Sequence, residues 1–172
     1  MKRTAAFALV LSFALPLLAA ENALYLSQDQ ILLHPPSSWV ILAHKLGGAK
    51  DLAAFQIENP ADEFGPDSTN LSVTAYDLGD TTAMVEFTGK MLGHDGQNQV
   101  ESELGEWSIN TFSGTQGSTT YEIRDCYRTL GPAGLHVRLA FPKLSQTTKE
   151  WTDRLEAQFK QFLEQIETKA AK

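Results

Sequence analysis

The sequence predicts an α+β fold, an antiparallel β-sheet covered by helices, with a long C-terminal helix packed on the sheet. Three observations carry this. Several stretches alternate apolar and polar residues with period two, as Leu71, Val73 and Ala75 do against Ser72, Thr74 and Tyr76. Between Asp80 and Gly93 the period lengthens to that of a helix. Near the C-terminus, Trp151, Leu155, Phe159, Phe162, Leu163 and Ile166 share an arc of about 120° at 100° per residue.

Taken in order, the chain opens with Lys2 and Arg3, an apolar run from Ala5 to Leu15, Pro16, and the small residues Ala19 and Ala20. This is the layout of a secretory signal peptide over residues 1–20. Its apolar run is short of the roughly 20 residues that cross a membrane. Taking 20 from 172 leaves 152 residues, which suit one domain over 21–172, periplasmic or secreted after cleavage. The whole chain carries net charge −7; without Lys2 and Arg3, 12 basic residues face 21 acidic ones, giving −9. Acidity of that size argues against nucleic acid, whose phosphates need clustered Lys and Arg. Cys126 is the single cysteine, so no internal disulfide can form and stability must come from packing.

"HPPSSWVILA" is an extended lead-in: Pro35 and Pro36 hold the chain extended, and Trp39 to Leu42 begin a strand. "LSVTAYD" is a half-buried strand. In the helix that follows, Asp80 is the N-cap, Gly93 lies past the end, and Met84, Val85, Thr88, Met91 and Leu92 form the expected buried face. Strands are expected around Trp107–Phe112, Thr119–Arg128 and Leu135–Phe141, with "GTQGST" as a hairpin turn. Thr147 and Glu150 have capping-box spacing before the terminal helix, and Glu150–Arg154 and Glu156–Lys160 are favourable i to i+4 pairs.

This order of parts resembles the PsbP-like family, whose bacterial members include the DcrB-like envelope proteins. The likeness spans about residues 31–167. It rests on "HPPSSWVI", on "NLSVTAYD" with the helix after it, and on "GLHVRLAFPKL" joined to the helix that closes on "QFLEQIE". The resemblance implies an antiparallel sheet covered by helices and a role in binding or assembly outside the cytoplasm. It carries no catalytic motif across, and the chain lacks the lipobox Cys that anchors many bacterial relatives.

For the last hairpin, matching apolar faces places Tyr127 opposite Leu135, Ile123 opposite Leu139 and Tyr121 opposite Phe141. The reverse side then pairs Cys126 with His136 and Arg124 with Arg138, with Arg128 close by. Two chemistries follow. A thiol facing an imidazole is a candidate nucleophile, or simply a buried cysteine, there being no evident oxyanion loop. Arg124, Arg128, His136 and Arg138 form a basic strip, which either is balanced by Glu122 or docks an acidic partner.

Asp62, Glu63, Asp67 and Asn70 offer hard oxygen ligands of the kind calcium takes, though without EF-hand spacing; the same loop, with Pro60, Gly65 and Pro66, is equally a solvated turn. His34, His44 and His94 have no zinc-ligand spacing. No nucleophile elbow or phosphate loop occurs, so no cofactor is expected. The leading expectation is a periplasmic, non-catalytic binding or accessory protein acting through protein–protein contacts. The alternatives are an immunity protein that neutralises a toxic enzyme, and a small thiol enzyme or hydrolase using Cys126 and His136.

Overall fold

The computed structural model describes residues 23–27, 30–58, 69–93, 100–143 and 149–168. Its elements run β1 (Leu24–Leu26), β2 (Ile31–Leu33), β3 (Val40–Lys45), β4 (Lys50–Gln56), β5 (Asn70–Asp77), α1 (Thr81–Leu92), β6 (Val100–Leu104), β7 (Trp107–Gln116), β8 (Thr119–Leu130), β9 (Ala133–Pro142), α2 (Lys149–Glu164) and β10 (Glu167–Thr168). Among these residues seven strands form one antiparallel sheet in the order β3-β4-β5-β9-β8-β7-β6, and β1, β2 and β10 form a second, small one. The α+β reading holds in these terms. The signal-peptide stretch, the acidic loop at 59–68 and Thr147 lie outside the described residues. No helix among the described residues is long and apolar enough to cross a membrane.

One face of the large sheet is sealed by α2. Period two along β5 and β9 puts Leu71, Val73, Leu135, Val137 and Leu139 on that face, all fully buried. Against them lie Trp151, Leu155, Phe159, Phe162 and Leu163 of α2, with Ile166 just beyond its end, so the predicted apolar arc is the buried one. Trp39, Phe55 and Phe162 meet with ring centroids 5.1 to 6.1 Å apart. Leu26, Ile31 and Leu33 of the small sheet close the same core. Two indoles tie the layers by their N–H groups: Trp107 Nε1 donates to the Leu163 carbonyl at 3.2 Å, and Trp151 Nε1 to the Glu58 carbonyl at 3.3 Å.

The other face, called the reverse face below, meets α1. This helix begins and ends where expected: the Asp80 carboxylate accepts from the Ala83 N–H at 2.9 Å, and Gly93 caps the far end. Its buried face is a different one. Ala83 and Phe87 pack on Tyr76 and Tyr127, and of the expected face Met91 is partly buried beside them, while Met84, Val85 and Leu92 are exposed. The helix is turned by about 120° from the expected orientation, at 100° per residue. The cause is Gly134, where a Cβ would come within 2.8 Å of the Phe87 ring. One aromatic ring seated in that notch, with Glu86 turned to Lys50 at 2.8 Å, outweighs a stripe of aliphatic side chains.

The β8–β9 hairpin also differs from expectation, by one residue. Leu130 pairs with Ala133 across a two-residue Gly131–Pro132 loop, Gly131 having φ +58°. Pro132 fixes a negative φ behind the positive φ of Gly131, which suits a II′ hairpin turn. Tyr127 therefore faces His136, Cys126 faces Val137, and Asp125 faces Arg138. Turn chemistry set the register, and a one-residue slip exchanges the two faces of β8. Cys126 does not face His136, and Arg124 does not face Arg138.

Candidate functional site

The expected basic strip is divided by this register. Arg124 and Arg128 project on the α2 side and His136 and Arg138 on the reverse side. Arg124 Nη2 donates to Glu122 at 2.9 Å and to Glu156 of α2 at 2.6 Å, and its guanidinium lies 5.8 Å from the centre of the Phe141 ring. Glu122 is thus the balancing acid for Arg124. Burial pulls the Arg124 pKa down, but Glu156 and Glu122 more than reverse this. Arg128 donates to Glu106 and lies over the Trp107 ring. Both cations have partners inside the molecule; that of Arg124 clips α2 to the sheet.

Cys126 sits between them, fully buried and opposite Ile109 and Val137. Burial, then the neighbouring Asp125 charge, pushes its thiol up to about 12. At neutral pH it is a small apolar side chain with no thiolate to offer.

On the reverse face Asp125, His136 and Arg138 form a connected cluster. Arg138 donates from Nε to Asp125 Oδ1 and from Nη2 to Oδ2, each at 2.7 Å, the planar two-point geometry that only arginine can make. His136 Nε2 lies 3.0 Å from Asp125 Oδ1, and its ring stacks on Tyr127 with centroids 4.7 Å apart and planes 5° from parallel. Asp125 is buried; burial alone would push its carboxyl up, but the Arg138 and His136 hydrogen bonds hold it down at about 2. The Arg138 side chain is 47% exposed. One edge of its guanidinium is consumed by Asp125, and Nη1 remains as a donor directed elsewhere.

Beside Arg138, on β4 and β5, the reverse face carries the small side chains Ala54, Ser72 and Thr74. Successive registers align Ala43, Ala54, Ser72, Arg138, Asp125 and Asn110 in one file across the sheet. The packing of α1 on Tyr76, Tyr127 and Gly134 covers one end of the face. Ala54, Ser72, Thr74, Ala140, Ile123 and Phe112 are only partly buried. Asp125 was missed because the apolar-matching register put it on the other side. The Gly-Pro dipeptide, read as a two-residue loop, would have found it.

The two edges of the large sheet differ as well. β6 reads "VESEL" and carries Glu101 and Glu103, charges of the kind that discourage pairing with another chain. β3 reads "VILAHK": Val40, Ile41 and Leu42, with Leu46 just beyond, are 44 to 58% exposed. Among the described residues no group of three or more His, Cys, Asp or Glu could hold a metal.

No protein-family model matches the chain, and no curated protein does. Its fold recurs among solved structures. A crystal structure from Bacteroides thetaiotaomicron VPI-5482 at 1.50 Å resolution superposes with TM-score 0.52 at 13% identity, over 86% of this chain and 48% of that one. This chain therefore spans about half the length of that protein. A point mutant of protein Mog1 superposes with TM-score 0.44 at 12% identity, over 84% of this chain and 91% of that one.

Proposed function

We propose that this chain is a non-catalytic binding protein of the cell envelope, which holds a partner protein on the open part of the reverse face with Arg138 as its charged anchor. One observation carries the reading. The guanidinium of Arg138 is held in a fixed plane by a buried carboxylate, yet its side chain is about half exposed, beside the small side chains of Ala54 and Ser72 that let a partner approach. A cation oriented in advance loses little entropy on meeting an acceptor. The chemistry that fits is a carboxylate on a partner segment lying over Ala54 and Ser72. The PsbP-like resemblance and the signal-peptide layout support an extracytoplasmic role of this kind. An accessory factor and an immunity protein both fit such a surface, and inhibition of the captured partner's enzymatic activity distinguishes them. The thiol-enzyme alternative loses its geometric basis, because Cys126 and His136 lie on opposite faces of the sheet.

Ala54→Arg fills the file without touching Asp125. The partner recovered from envelope extract by the unaltered chain should bind this variant at least tenfold more weakly, with the melting temperature kept. Gln161→Arg, on the exposed side of α2, should bind normally. The opposite pattern would overturn the proposal.

A further inference from the structure

We propose that β3 is a self-association edge, pairing antiparallel with β3 of a second copy of this chain. Its charge pattern, its geometry and its bulge each favour this. From Ser38 to Lys50 the sequence contains no Asp or Glu, in a chain with 21 of them and net charge −7. Two copies repel over most of their acidic surface; here the paired stretch of each copy brings no carboxylate of its own. The charges on this stretch are Lys45 and Lys50, with His44 beside them. Lys50 is already paired to Glu86, and His44 Nε2 lies 2.9 Å from the Tyr25 carbonyl.

The geometry of a symmetric pairing agrees. A two-fold axis between Leu42 and Ala43 sets Val40 opposite Lys45, Ile41 opposite His44 and Leu42 opposite Ala43. The aliphatic stem of each Lys45 then covers Val40 of the other copy. The two Lys45 residues stand five positions apart, about 17 Å along the strand, beyond a screening length of about 8 Å at physiological salt. An isologous contact of this kind closes on itself as a dimer.

The bulge points the same way. β3 slips register against β4 between Ile41 and Ala43, leaving Leu42 as the extra residue. Bulges and lysines are used to spoil sheet edges, and a bulge serving only that end would present a charge. This one presents an exposed leucine. The paired edge is short, so the contact is smaller than the roughly 800 Å² per partner of a standard interface. A contact of this size makes a weak, reversible dimer.

The contact is separate from the reverse-face reading, because Arg138 lies three strands away in the sheet. Sedimentation velocity of the chain without residues 1–20, over a hundredfold concentration range reaching hundreds of micromolar, should show the mass rising towards twice the monomer value. Leu42→Lys should stay monomeric throughout, with an unchanged circular-dichroism melt. Val100→Lys, on the opposite edge, should dimerise like the unaltered chain. A monomer at every concentration, or a dimer insensitive to Leu42→Lys, would overturn the proposal.

Discussion

The α2 face and the reverse face are built from the same strands, one set of alternate positions each, yet they do different work. The α2 face is a continuous apolar layer, and its two arginines are matched to Glu122, Glu156 and Glu106 within the molecule. The reverse face buries one small aromatic group under α1 and keeps its charged cluster at the border of the covered area. A sealed face can be as apolar as packing requires. A face that stays open has to satisfy its buried polar atoms with partners of its own, and Asp125 does so with Arg138 and His136.

Perturbing the sealed face should have the largest consequence. Phe162→Ala removes a ring packed on Trp39 and Phe55 and should cost about 3–5 kcal/mol, read as a lower urea midpoint. Phe112→Ala, on the partly buried reverse face, should cost about 1 kcal/mol. Equal losses would mean the two faces are equally sealed.

Next in size is the charged cluster. Arg138→Ala leaves the buried Asp125 carboxylate with His136 alone and should destabilise by about 2–3 kcal/mol, below the cost of breaking a fully buried pair because Arg138 is itself half exposed. Asp125→Asn should cost less, since the arginine it frees can turn to water. The pH dependence has a definite sign. Asp125 titrates at about 2 in the folded chain against about 3.9 unfolded. Its contribution, about 2 kcal/mol, is therefore complete above pH ~4 and is lost as pH falls through the folded value. Acid unfolding of Asp125→Asn should lack this part of the transition.

Gly134→Ala tests the notch that orients α1. The added methyl meets the Phe87 ring, and a loss of about 1–2 kcal/mol is expected. Replacing Phe87 by Leu in the same chain should recover part of it. The smallest effect concerns Cys126. A thiol reagent applied between pH 5 and 9 should leave the folded protein unlabelled and react once it is unfolded, because the thiol is buried and titrates near 12. Labelling of the folded chain would put Cys126 back among reactive groups.

The contrast between the faces also explains what could be read from the residues alone. α2 was legible because five large side chains, continued by Ile166 just past its end, keep one helical arc without interruption, and β5 because Leu71, Val73 and Ala75 alternate cleanly. The ends of α1 were legible from Asp80 and Gly93. Its orientation was not, since a notch made by a glycine 47 positions beyond Phe87 has no local signature. β4 escaped notice because "KDLAAFQ" buries Asp51 and Ala53 beside Phe55, which blurs the alternation; Asp51 is bonded by the Ser27 and Gly47 N–H groups at 2.5 and 2.7 Å. The candidate site followed the hairpin register. Arg138 and His136 share one face because they alternate along β9, but matching Tyr127 to Leu135 concealed the carboxylate that holds them.

Docking of a partner on the reverse face is the central claim. A photo-crosslinking amino acid at Ser72, in cells that make the protein, reports this most directly when set against the same probe at Gln161 on the exposed side of α2. A discrete crosslinked adduct should form from Ser72 and weaken in Ala54→Arg, and none should form from Gln161. An adduct from Gln161 with none from Ser72 would contradict the claim.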